Sequence, residues 1–80
     1  LTGGLPLSPS QALLLMIARA LLHSPRLLLL DECLDQIEDP AERLRIARAV
    51  CGHSKPWTTV IVSSKPDVLE LCDAVYELRN

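Results

Sequence analysis

Apolar residues fall into two kinds of run along this chain: one long and nearly unbroken, the others short and framed by turn formers. Residues 1–7 hold two glycines and a proline without periodicity and predict a loop. Ser8-Pro9-Ser10-Gln11 then reads as a helix start, with an N-cap hydroxyl, proline at the first helical position and glutamine at the third. That is a capping box in its S-x-x-Q form. The helix is predicted to run from Pro9 to His23, where Ser24-Pro25 stops it. From Ala12 to Leu22 its apolar positions cover nearly the whole circumference, so burial on most sides is expected.

Leu27 to Leu30 form a short apolar run between Pro25 and the Asp31-Glu32 pair, and their length favours a strand. Asp39-Pro40-Ala41-Glu42 repeats the helix-start logic. Ala41, Leu44, Ala47, Val50 and Cys51 then keep a helical stripe that Gly52 can close. Thr58 to Ser63 is β-branched nearly throughout and predicts a strand. Pro66 to Cys72 offers a third helix and Ala74 to Leu78 a last strand. Helices alternating with apolar strands indicate the α/β class with a parallel sheet, whose strands are expected to be covered on both faces. No internal repeat or low-complexity linker divides the chain, so residues 1–80 are read as one unit.

Composition narrows the possibilities further. A hydrophobic share of 49% with a formal charge of -2 excludes a disordered chain and leaves no basic surface for a phosphate backbone, so no nucleic-acid partner is expected. Trp57 and Tyr76 are the only aromatic residues, which makes the core aliphatic. Cys33, Cys51 and Cys72 contain no C-x-x-C pair and are expected to be buried, reduced thiols. The apolar run from Ala12 to Ala18 falls well short of the roughly 20 residues that span a bilayer. The chain opens on Leu1, and its one methionine is Met16, so a piece of a longer polypeptide is expected.

Chemistry concentrates in two places. Leu27-Leu28-Leu29-Leu30-Asp31-Glu32 puts two acids at the carboxyl end of a strand, where open α/β sheets bind their ligands. On its own this is also the pattern of a strand running into a solvated acidic turn. Ser8 and the NH groups beyond it form a seat for an anion, or else an ordinary helix cap. His23 and His53 stand near predicted helix ends, where an imidazolium suits the negative pole, and Trp57 reads as a partly buried cap on the sheet. Lys55 and Lys65 follow no glycine-rich loop.

Taken jointly, Leu7-Ser8-Pro9-Ser10-Gln11, then Ile17-Ala18-Arg19-Ala20-Leu21-Leu22, then Pro25 and the leucine run with Asp31-Glu32 resemble the ATP-binding cassette family. Its L-S-G-G-Q signature opens a helix containing A-R-A-L-L and leads through a proline to the Walker B strand. Asp35 to Glu38 matches the position of the family's D-loop, and Ser63 to Leu78 that of its switch region and final strand. Leu1-Thr2-Gly3-Gly4 also looks like the start of a signature, but its spacing to the acid pair is too long.

The resemblance implies a carboxyl-terminal fragment of a nucleotide-binding domain, with part of a P-loop NTPase, RecA-like sheet. It implies ATP and Mg2+ as cofactors, with Asp31 holding the magnesium through water and Glu32 acting on the attacking water. Ser8, Ser10, Gln11 and Ser64 are the implied nucleotide contacts. A second nucleotide-binding domain in a head-to-tail dimer and a membrane-spanning transporter part are the implied partners, at the cytoplasmic face of a membrane.

Four positions depart from the family pattern. Pro9 and Ser10 stand where it has two glycines, Glu38 replaces an aspartate, and Ser64 stands where it carries a histidine. No G-x-x-x-x-G-K-[ST] occurs, so these 80 residues alone are expected to be inactive as an ATPase. The intact domain would either hydrolyse ATP for transport or serve as a degenerate, non-hydrolysing half that regulates or dimerises.

Overall fold

The computed structural model describes residues 6–77. Helix α1 spans Pro9–Leu21 and opens with the expected capping box. The Ser8 hydroxyl accepts from Gln11 N at 3.1 Å, and Gln11 Oε1 accepts from Ser8 N at 3.0 Å. The helix closes two residues before the predicted His23, and Ser24 follows at a left-handed φ of 51°. That conformation costs a non-glycine residue roughly 1–2 kcal/mol. It lets the chain turn back through Pro25 into strand β1, Leu27–Asp31.

A single 3-10 turn, Leu34–Gln36, leads to helix α2, Pro40–Val50. Asp39 caps α2, its Oδ1 accepting from Ala41 N at 3.1 Å. Gly52, at φ 121°, turns the chain after it in a backbone conformation open to glycine. Strand β2, Thr58–Val62, and the short helix α3, Pro66–Leu69, complete the order. The third helix is therefore shorter than the predicted Pro66–Cys72. Residues 74–77 carry no regular structure, and Leu78 lies outside the described residues, so the expected last strand is not found among them.

Strands β1 and β2 pair in parallel, with Leu27 opposite Thr58, Leu29 opposite Val60 and Asp31 opposite Val62. Two further bonds extend the ladder at its ends, Thr58 N to Arg26 O and Glu32 N to Val62 O, each 2.8 Å. The α/β expectation of helices alternating with parallel strands holds for this two-stranded sheet.

Because strand side chains alternate, the sheet has two unlike faces. Leu28 and Leu30 are buried in a core shared with Leu13 and Ile17 of α1, Ile46, Ala47 and Val50 of α2, and Val68 of α3. Leu27 and Leu29 on the opposite face are more than half exposed, and Val60 and Val62 beside them are exposed as well. The expectation of strands covered on both faces is thus corrected: the helices described here pack on one face only.

Helix α1 needs a similar correction. Only Ser10, Leu13 and Ile17 are buried, while Leu14, Leu15 and Met16 face outward. Its continuous apolar surface is too wide for the single face it packs.

The largest fully buried side chains are Leu34, Ile46 and Val68, which lock the 3-10 turn, α2 and α3 together. Burial of one such side chain contributes roughly 1.5–3 kcal/mol.

Candidate functional site

The carboxyl ends of both strands lie side by side, because Asp31 is in register with Val62 and Glu32 N donates to Val62 O. That pairing brings Asp31-Glu32 next to Ser63-Ser64, though the 3-10 turn and the whole of α2 and β2 lie between the pairs in sequence. Both acids are exposed. Glu32 sits at φ 60°, a left-handed conformation unusual for a residue with a long side chain. Such outliers persist where the surroundings over-determine them and concentrate at functional sites. Here β1 must end and turn sharply into the 3-10 turn, and Glu32 absorbs the change of direction.

Asp35, in that turn, joins the two strand ends. Its Oδ1 accepts from Ser63 Oγ at 2.5 Å, and its Oδ2 accepts from Ser64 N at 2.9 Å and Ser64 Oγ at 3.0 Å. Burial acts to raise the Asp35 pKa, but the hydrogen bonds from Ser63 and Ser64, with the nearby Lys65 charge, outweigh it and leave the pKa below its ordinary value. Ser63 Oγ in turn accepts from Lys65 N at 3.0 Å.

Arg43 makes a second link between the same regions. It is 6% exposed, and its Nη2 lies 2.7 Å from Asp67 Oδ2. Its Nε also donates to the Asp67 carboxylate, and its Nη1 to the carbonyls of Ile37 and Glu38. The Arg43 guanidinium holds the Asp67 carboxyl below its ordinary value.

The start of α1 forms a separate place. Ser8, Pro9 and Ser10 face Gln36, Ile37, Glu38, Asp39 and Glu42 across an open groove of about 410 Å³ that includes none of Asp31, Glu32 or Ser64. The structure thus brings the acid pair and Ser64 together and keeps Ser8, Ser10 and Gln11 apart from them. In the first turn Pro9 has no N–H, Gln11 N is bound by Ser8 Oγ and Ala12 N by Ser8 O at 2.9 Å. The Ser10 N–H is the donor left over, while the Ser10 side chain is buried at 4% exposure. Gln11 Oε1 is engaged by the cap itself. Glu38, Asp39 and Glu42 make the field of this groove negative, which opposes a bare anion.

Among the described residues no three His, Cys, Asp or Glu side chains gather to hold a metal ion. Magnesium, however, keeps several waters and takes only one or two carboxylates together with phosphate oxygens. The exposed Asp31 carboxylate fits that pattern.

Other candidates fall to structural roles. The Trp57 indole donates to Val50 O and to Thr59 Oγ1, each at 3.0 Å, and packs half-buried against the core. His53 Nε2 lies 3.5 Å from Asp73 Oδ1, with both side chains largely exposed, and His23 is exposed. All three cysteines are free and half-buried rather than fully buried. Burial pushes the Cys51 thiol up, which lowers its thiolate fraction.

Asp35 and Arg43 are the polar residues that sequence reading missed in these roles. Their partners Asp67, Ser63 and Ser64 lie 24 to 29 positions away, beyond the reach of any local pattern.

Comparison with known proteins adds the lineage. The chain is 36% identical over 78 residues to the glutathione/L-cysteine transport system ATP-binding/permease protein CydD of Haemophilus influenzae, covering 98% of this chain and 13% of that protein. It is 34% identical over 73 residues to the multidrug resistance protein sirA of Leptosphaeria maculans, covering 91% and 6%. With the ABC-type transporter fsqE of Aspergillus fumigatus it shares 32% over 79 residues, covering 99% and 6%. The chain belongs to the ATP-binding cassette family.

No protein-family model matches the sequence, and no solved structure matches the chain. The chain spans 6% to 13% of the length of these ATP-binding cassette relatives. Among the described residues no helix is long and apolar enough to cross a membrane.

Proposed function

We propose that these residues are the carboxyl-terminal part of a nucleotide-binding domain of an ATP-binding cassette transporter, one that binds and hydrolyses ATP to drive transport. In this reading α1 carries the signature motif, β1 is the Walker B strand, residues 35–38 are the D-loop and Ser63-Ser64 begin the switch region. The observation that carries it is the acid pair Asp31-Glu32 ending β1 at the carboxyl edge of a parallel strand pair, with Glu32 turned into a left-handed conformation beside Ser63-Ser64.

Asp31 would hold Mg2+ through water, and Glu32 would orient and deprotonate the attacking water. The magnesium, when bound with ATP, neutralises charge on the phosphates. Ser8, through its hydroxyl, and Ser10, through its backbone N–H, would receive the nucleotide of an opposing domain at the start of α1. Gln11 would act by keeping Ser8 in place, as its side chain closes the cap. The acids lining the α1 groove call for a counter-charge from the opposing domain or from the cation that accompanies the nucleotide. A second nucleotide-binding domain in head-to-tail arrangement and a membrane-spanning part of the transporter are the partners, with the domain on the cytoplasmic side.

A second reading, a degenerate domain that dimerises or regulates without hydrolysing, draws support from Ser64, whose donors are both taken by Asp35. Steady-state ATP turnover by the whole protein carrying this segment separates the two. Glu32→Gln is expected to lower turnover by about a hundredfold or more, as loss of a general base does. Equal rates before and after the substitution would refute the catalytic assignment. Nucleotide-dependent dimerisation without any turnover would favour the degenerate reading.

A further inference from the structure

One internal carboxylate governs the donors of Ser64. Ser64 N and Ser64 Oγ both point to Asp35 Oδ2, at 2.9 Å and 3.0 Å, while Ser63 Oγ takes the other oxygen. A serine hydroxyl has a single proton. With that proton given to Asp35, the Ser64 hydroxyl can turn only lone pairs toward another anion, and its backbone N–H is spent as well. Ser63 is fixed in the same way, since its hydroxyl also receives Lys65 N at 3.0 Å. Three donors thus converge on a negative group that belongs to the chain itself.

We propose that Asp35 is a positioning residue that withholds Ser64 from the terminal phosphate of a bound nucleoside triphosphate, its carboxylate filling the place a phosphoryl oxygen would take. This rests on the reading of Ser64 as a nucleotide contact given above. The turn after β2 engages the phosphate only when the Asp35 clasp opens. Opening exchanges three hydrogen bonds to a carboxylate for hydrogen bonds to a phosphate, so the competition is between like partners and small differences decide it. The clasp works against a triphosphate more than a diphosphate, because only the former presents the group that competes for Ser64. Asp35 also adds its own charge next to Asp31 and Glu32, which repels phosphate whether or not Ser64 is involved. The two effects must be separated by experiment.

The test is equilibrium binding of Mg-ATP and Mg-ADP, by calorimetry, to the whole protein carrying this segment. Asp35→Ala is expected to tighten ATP binding by about tenfold, the scale of one or two net hydrogen bonds, with ADP affinity changed much less. Asp35→Asn, whose amide oxygen still accepts but carries no charge, is expected to fall between. It also serves as the test should Asp35→Ala fail to fold. In the double variant Asp35→Ala with Ser64→Ala, most of the gain for ATP should disappear, since its recipient has been removed.

A gain that survives in full in the double variant would show charge repulsion alone and overturn the clasp. So would an equal gain for ATP and ADP, or no gain at all; in those cases ATP binding by the unmodified protein leaves the functional reading standing. ATP binding seen only in Asp35→Ala would support the clasp in its strongest form. Failure of the unmodified protein and of the Asp35 variants to bind ATP would overturn both the clasp and the reading it rests on.

Discussion

Arg43 on α2 and Asp67 at the start of α3 form an ion pair with Nη2 and Oδ2 2.7 Å apart, and the same guanidinium also binds the carbonyls of Ile37 and Glu38. One side chain thereby fixes the loop after β1 to the helix after β2. Removal of Arg43 leaves those carbonyls without their donor and a carboxylate without its partner. Arg43→Ala should therefore raise amide hydrogen exchange at Glu70 and Leu71, whose N–H groups close α3, by about tenfold. Asp67→Asn should give a smaller rise, because the amide still accepts one bond. Unchanged exchange in Arg43→Ala would mean that the pair holds nothing in place.

The pH dependence follows from the same contacts. Asp67 and Asp35 both have pKa values lowered from the ordinary 3.8, so in the folded state each binds its proton less readily than in the unfolded one. Their contribution to stability is therefore complete above the ordinary value and is lost as pH falls through the depressed folded values. Carboxyl-carbon chemical shifts should show both groups titrating below 3.8. Arg43→Ala should raise the Asp67 pKa, with the Val68 N–H bond still acting to lower it, and leave Asp35 where it is.

Glu32 offers a separation of stability from activity. Its φ of 60° is a conformation glycine adopts freely, so Glu32→Gly relieves about 1 kcal/mol of strain, offset in part by the greater entropy of an unfolded glycine. Urea unfolding of the whole protein should show stability unchanged or slightly raised. ATP turnover should fall as far as it does in Glu32→Gln. A glycine variant that keeps its turnover would remove Glu32 from the chemistry.

The open face of the sheet predicts behaviour of the 80-residue chain when expressed alone. Leu27, Leu29, Val60 and Val62 form an exposed apolar strip, and a two-stranded sheet also leaves unpaired strand edges. Sedimentation should show self-association that Leu29→Lys together with Val60→Lys diminishes. A monomeric unmodified chain would contradict the exposure described for this face.

What the sequence made legible was local. The capping box of Ser8 and Gln11, the Asp39 cap and the β-branched run of β2 all depend on residues within a few positions of one another, and each is found as predicted. The acids at the end of β1 were readable from the leucine run for the same reason. The apolar circumference of α1 predicts burial on most sides but says nothing of how many partners are present, and the described residues cover one side only. A last strand over Ala74 to Leu78 would need a neighbour to bond, and among the described residues β1 and β2 pair with each other alone. The Asp35 clasp and the Arg43 link join distant segments, so they become visible only once the parallel register sets the strand ends side by side.

On the proposed function, the carboxyl edge of β1 and β2 faces a metal-nucleotide complex. Manganese in place of magnesium reports this directly, because its unpaired electrons broaden nearby amide signals. With Mn-ATP added to the whole protein, the amides of Glu32, Cys33 and Ser64 should broaden strongly, while those of His53 and Tyr76 stay sharp. The same signals should be restored by excess Mg-ATP. Sharp Glu32 and Ser64 amides in the presence of saturating Mn-ATP would contradict the account.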